Sequence, residues 1–191
     1  MNWKRALWII VLVLAVDQIS KIYIKTHFAL HDSVGVFSFF RIYFIENEGM
    51  AWGAKIPGDY GKLALTLFRL VAIVGIGYWL HDALKKKSSN LLIVSIALVF
   101  AGAMGNIIDS VFYGVLFDHS HGQIATFLPE AGGYGKLLHG KVVDMFSFSF
   151  FNPVFNVADT AISVGVGLLI LWNKKAFRKE EKIDPAAENQ A

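Results

Sequence analysis

Four stretches in which apolar residues run almost unbroken divide the chain. They read "ALWIIVLVLAVDQISKIYI" over residues 6–24, "LALTLFRLVAIVGIGYWL" over 63–80, "LLIVSIALVFAGAMGNII" over 91–108 and "VFNVADTAISVGVGLLILW" over 154–172. Each is close to the about 17–25 helical residues that cross a hydrocarbon core, so the pattern predicts four transmembrane helices. For the first stretch a cleaved signal peptide is the alternative, since Lys4 and Arg5 precede its apolar core. No small-x-small cleavage site closes that core, and it runs on through Asp17, Gln18 and Lys21 into more apolar residues. Two long loops remain, 25–62 and 109–153. In the first, "FSFFRIYFIEN" (Phe37–Asn47) has the aromatic and β-branched content of a strand, and "ENEGMAWGAKIPGDYG" then breaks into Gly-rich turns. The second loop is irregular, with room for one short helix. The charged and then polar residues 174–191 predict a disordered tail.

Composition supports a membrane protein. The 191 residues are 55% hydrophobic and 17% charged, with a mean hydropathy of +0.50. A soluble domain of this size needs more polar surface than that. The length suits a single integral membrane domain over residues 1–173. Cysteine is absent, which excludes disulfides, thiolate metal sites and a cysteine nucleophile. The net charge of +3 is small, and no basic patch of the kind that tracks nucleic acid occurs. The placement of the charge decides orientation. With both termini inside, the short inner segments carry ten Lys and Arg, and the two much longer outer loops carry six. The positive-inside rule therefore puts both termini in the cytoplasm.

That orientation gives the polar residues a common depth. At about 1.5 Å per helical residue, Asp17 lies in the outer half of the first span and Arg69 just below the outer end of the second. Asn106 and Asp109 close the third span, Asn156 and Asp159 open the fourth, and the loops bring Asn47 and Asp144 from above. Ionisable residues inside a membrane mark functional sites by default. Each of these also has a structural alternative. Asp17 can pair with Lys21 one turn on, Arg69 can snorkel, Asn106 and Asp109 can cap a helix end, and Asn156 and Asp159 can cap the fourth helix. Asp144, between "KVV" and "MFSFSFF", caps nothing obvious.

Two carboxylates in close approach share a proton, because both cannot ionise readily. Such a pair supplies a base for a water and an acid for a leaving amide, with no metal, cofactor or nucleophilic side chain. Asp144 and Asp159 thus have the makings of an aspartic hydrolase at the outer face. No HExxH or GxSxG motif is present, and His119 and His121 in "FDHSHG" make at most an adventitious metal site. A proton-coupled carrier using Asp17, Arg69 and Asp159 is the rival reading. It calls for polar residues at every depth, whereas the inner halves of the spans hold almost none. A non-catalytic membrane scaffold, the other rival, needs no paired carboxylates.

"DQISK", "NEGMAWG", "GNIIDS", "VVDMF" and "FNVADTAI", in that order, resemble the successive signatures of the lipoprotein signal peptidases (signal peptidase II). The resemblance implies an aspartic endopeptidase of the bacterial inner membrane that removes the signal peptide from prolipoproteins, cleaving before a diacylglyceryl-modified cysteine. It implies Asp144 and Asp159 as the catalytic pair. Asn47, Gly49, Asn106, Asp109, Asn156, Ala158 and Asp17 then line or brace the site. It further implies a small extracytoplasmic β-sheet cradle and a periplasmic helix or loop over the site. The expected partners are lipid-modified prolipoproteins, membrane lipids and globomycin-type inhibitors, acting on a monomer. The third motif usually ends in Asp-Arg, but Ser110 follows Asp109 here, so any bridge made by that Arg is lost or made otherwise, with Arg69 and Lys141 as candidate substitutes. Three further expectations concern packing. Residues Ala101–Gly105 leave room for an extended peptide, Gly165 and Gly167 permit close helix contact, and the insertion "FDHSHGQIATFLPEAGGYGKLLHG" decorates the outer surface.

Overall fold

The computed structural model describes residues 1–48 and 59–176. Gly49 and most of "NEGMAWG" lie outside the described residues, as does the expected tail from residue 177 onward. Three long apolar helices dominate: α1 (Trp3–His27), α2 (Asp59–Lys85) and α3 (Asn90–Ile108). After α3 come a π-helical turn (Asp109–Tyr113) and a single turn, α4 (Gly114–Leu116), which carry the helical rod on to residue 116. All three are long and apolar enough to cross a membrane.

The last apolar helix differs from the sequence expectation. It begins at Val157 rather than Val154, and α5 (Val157–Leu171) has 15 residues, about 22 Å at the helical rise. A short helix, α6 (Asn173–Ala176), follows at Trp172. Val154 and Phe155 belong instead to a strand, because the preceding aromatic run pairs with its neighbour and Asn156 caps the helix.

The small β-sheet that the resemblance implies is present, and it extends well beyond the one strand read from the residues. β1 (Ser33–Phe37), β2 (Phe40–Asn47), β3 (Val142–Phe148) and β4 (Phe151–Phe155) form an antiparallel sheet in that order. Within it, "KVVDMFSFSFFNPVF" is a β-hairpin. Its alternation puts Val143 and Met145 into a core with Ile24, Phe44, Tyr113 and Phe117, and leaves Asp144 on the opposite face. In register, Ile45 faces Asp144 and Asn47 faces Val142.

α3 is the central helix, flanked by α1, α2 and α5. Its small residues admit α5 rather than leave room for a ligand. A Cβ on Gly102 would lie 2.2 Å from the Ala158 carbonyl oxygen, and one on Gly105 would lie 2.6 Å from Asp17 Oδ2. Gly165 is likewise pressed against α3, 2.7 Å from the Ser95 carbonyl, whereas Gly167 faces open space and has no packing role. The insertion does more than decorate. Phe117 and Ser120 are fully buried, and Ser120 accepts from Lys25 Nζ at 2.9 Å and donates to Glu46 Oε1 at 3.0 Å. Lys25 also lies over the rings of Phe44, Phe117 and Tyr134.

Candidate active site

On α1, Asp17, Lys21 and Lys25 recur every four residues and so share one face. That face meets α3. Lys21 Nζ lies 2.9 Å from Asp17 Oδ2 and 2.8 Å from Asp109 Oδ2, with all three side chains fully buried. Each carboxylate also holds backbone. Asp17 Oδ1 accepts from the Ala158 amide at 2.8 Å and Asp109 Oδ2 from the Val143 amide at 3.2 Å. The triad therefore ties the start of α5 and the middle of β3 to the helix bundle. Gln18 donates to both Asp17 and Asp109.

Lys21 also donates to Asn106 Oδ1 at 2.9 Å, which extends the network toward the cleft. That oxygen accepts from Asn156 Nδ2 as well, while Asn106 Nδ2 donates to Asp159 Oδ1 at 2.8 Å. Asn156 Nδ2 reaches Asp144 Oδ1 at 2.6 Å, and Asn47 Nδ2 donates to Asp144 Oδ2 at 3.1 Å. The two asparagines Asn106 and Asn156 thus bridge the two aspartates. Asn156 does so while capping α5: its oxygen accepts from the Asp159 amide, and Asp159 reaches back to the Asn156 amide in a capping box. The capping role foreseen for this pair and its place in the site are the same geometry.

Asp144 and Asp159 line one cleft of about 580 Å³, together with Asn47, Arg69 and Asn106. Its remaining walls are mostly apolar: Phe151, Pro153, Val154 and Phe155 from β4, and Ile162 and Val164 from α5. Asp144 is 1% exposed. Burial pushes its carboxyl up to about 7, the nearby Asp159 adds to the rise, and the hydrogen bonds from Asn47 and Asn156 oppose it. A carboxyl with that value, facing a second carboxylate across a cleft, can hold and donate a proton at neutral pH.

Of the residues singled out from sequence, Asp17, Asn47, Asn106, Asp109, Asp144, Asn156, Ala158 and Asp159 converge here, and Gly49 lies outside the described residues. Sequence reasoning missed Lys21 as the hub of the network and Gln18 as its partner. It also missed the Lys25–Glu46 pair, whose Nζ–Oε1 separation is 2.5 Å. The 17–21–25 spacing was the available signal. Arg69, one of two candidates for the cation missing from the third motif, donates to Ser110 Oγ at 3.2 Å.

A family model described as signal peptidase (SPase) II matches residues 9–174. A lipoprotein signal peptidase of Porphyromonas gingivalis is 44% identical over 183 residues, covering 85% of this chain and 80% of its own. One of Shewanella baltica is 33% identical over 190 residues, covering 95% and 94%. A bacterial membrane enzyme solved by the in meso method at 2.3 Å superposes with a TM-score of 0.66 at 27% identity, over 95% of this chain and 96% of that one. With the model matched from α1 to α6 and two aspartates lining one cleft, the chain belongs to the signal peptidase II family of membrane aspartic peptidases.

Proposed function

We propose that Asp144 and Asp159 are the catalytic pair with which this signal peptidase II removes signal peptides from prolipoproteins, cutting before the diacylglyceryl-modified cysteine. The observation that carries this reading is the bridge of Asn106 and Asn156, which aims both carboxyl groups into one cleft. A water held between the carboxyl groups attacks the scissile carbonyl carbon and gives its proton to Asp159. Asp144 then donates its proton to the amide nitrogen as the C–N bond breaks. One product carries the new carboxyl group and the other the free amine of the lipidated cysteine. One proton remains on the pair, ready for the next cycle.

The lipid of the substrate lies in the opening between α2 and α5, against Ile162 and Val164. Its peptide passes below the sheet, which acts as a cradle, and Asn47 borders the path. The apolar walls of the cleft support this arrangement. Residues 1–173 act as one peptidase domain in the bacterial inner membrane, with α5 and α6 together as the fourth span. Both termini are cytoplasmic and the site is at the outer face, as the distribution of Lys and Arg supports. The working unit is a monomer in contact with membrane lipids, and globomycin-type peptides occupy the same cleft.

The test is the pair Asp144→Asn and Asp159→Asn, which preserve shape and remove the carboxylate. Both variants should fold, and neither should cleave a diacylglyceryl-modified precursor. Wild-type cleavage by both would end the assignment.

A further inference from the structure

The cleft contains one basic side chain among its described lining residues, Arg69, and neither the hydrolytic scheme nor the capping network uses it. It comes from α2. Lys62, Thr66 and Arg69 recur at i, i+4 and i+7 and so share a face. Two of them are fastened to loops: Lys62 Nζ donates to the Glu48 carbonyl at 2.7 Å, and the fully buried Thr66 hydroxyl donates to the Leu138 carbonyl at 3.1 Å. The third, Arg69, donates to Ser110 Oγ at 3.2 Å and lies within electrostatic reach of Asp159, Asp109 and Asp144.

Charge explains why a cation is needed there. Network and cleft together hold four carboxyl groups, Asp17, Asp109, Asp144 and Asp159. Lys21 compensates two of them but is fully buried, so it cannot touch a substrate. Water attack moves the negative charge of Asp159 onto the scissile carbonyl oxygen, since Asp144 keeps its proton and Asp159 takes one from the water. Unless a donor meets that oxygen, the charge is left unsolvated between the apolar walls of the cleft. A guanidinium suits the task, since it stays charged and presents several donors in a fixed plane.

We propose that Arg69 is a catalytic residue of this chain: anchored on Ser110, its guanidinium donates to the scissile carbonyl oxygen and stabilises the oxyanion formed when water adds. The oxyanion collapses as Asp144 protonates the amide nitrogen, so Arg69 gains and loses no proton. Position 69 lies outside the five sequence motifs, so the site draws on a helix that those motifs leave out. This inference rests on Asp144 and Asp159 being the catalytic pair.

The test uses the full-length protein in lipid or detergent with a diacylglyceryl-modified precursor, comparing Arg69→Gln, Arg69→Lys and Ser110→Ala. Arg69→Gln should lower kcat by about 10²–10³, the loss typical of an oxyanion donor, with a much smaller change in KM. Arg69→Lys keeps the charge and should fall between it and wild type. Ser110→Ala frees the anchor and should cost about tenfold or less. Losing the cation should also move the alkaline limb of the pH–rate profile upward in Arg69→Gln, a displacement that a packing defect would not cause. Wild-type kcat in Arg69→Gln, or reduced turnover with the alkaline limb unmoved, would overturn the proposal. If Arg69→Gln fails to fold, Arg69→Lys decides on turnover alone, because it keeps the charge: a lowered kcat with KM little changed supports the role, and wild-type kcat overturns it. Activity in Asp144→Asn and Asp159→Asn would remove the catalytic pair itself. Inactivity of those two alongside a fully active Arg69→Gln would remove only the role of Arg69.

Discussion

Replacing Lys21 by Met removes one charge and strands two. In the native protein its ammonium sits within 3 Å of both Asp17 and Asp109, and all three side chains are fully excluded from solvent. Breaking a buried ion pair by deleting one partner costs about 3–5 kcal/mol, chiefly because the partner left behind is uncompensated. Two carboxylates are left here, which argues for the upper end. Polar groups of a membrane protein also find substitutes when it unfolds within lipid, which argues for the lower end. Taking about 3 kcal/mol and about 2–4 °C per kcal/mol for a chain of this size, the melting temperature should fall by roughly 6–12 °C. Thermal unfolding of the detergent-solubilised protein reads this directly. The triple variant Lys21→Met, Asp17→Asn, Asp109→Asn is the control. Its amide oxygens can still accept from the Ala158 and Val143 backbone, but no charge is stranded, so it should recover most of the loss. If Lys21→Met melts with the wild type, or the triple variant is no more stable than the single, uncompensated charge is not what the triad prevents.

Two further outcomes are expected. Because Asp144 holds its proton up to about 7, cleavage should fall as pH rises through about 7 and the pair loses the acid for the amide nitrogen. The folded state keeps a proton that the unfolded chain releases near the ordinary carboxylate value of about 4. The contribution of this group to stability should therefore decline between those two values as pH rises. A pH–rate profile that stays level as pH rises through about 7 and beyond contradicts the assignment of Asp144. Gly102→Ala forces a methyl group to within 2.2 Å of the Ala158 carbonyl, one residue from Asp159. It should cost about 1–3 kcal/mol of overpacking and depress cleavage with it. Gly167→Ala, which meets nothing within 4 Å, should be neutral or slightly stabilising, and equal behaviour of the two would refute the close-packing argument.

Much of the site was legible in the sequence because costly residues give themselves away in an apolar background. Asp17, Asn106, Asp109, Asn156 and Asp159 stood out for that reason. The long helices were legible for the same reason. The sheet was not, since β3 and β4 read as one aromatic run whose two-residue alternation is hidden by Phe on both faces. Lys21 was noticed only as a neighbour of Asp17, because its partner Asp109 lies 88 positions away. Small residues on α3 were read as space for a ligand. Sequence shows that a residue is small but not what fills the gap beside it, and here α5 does.

The burial of Lys25 beside Glu46 sets a rule for which parts of this enzyme can be changed separately. Ser120 supplies a hydroxyl between them, while Phe117 and Tyr134 supply the rings around the ammonium. All three come from the long loop, whereas Lys25 ends α1 and Glu46 sits one residue before Asn47. Shortening the loop alone would open a buried ion pair next to the strand that carries Asn47 to Asp144. Replacing the ion pair alone would leave a polar pocket with nothing in it. Loop, helix end and strand therefore form one inherited unit. A descendant or an engineered version with a shorter loop has to replace Lys25 and Glu46 in the same step.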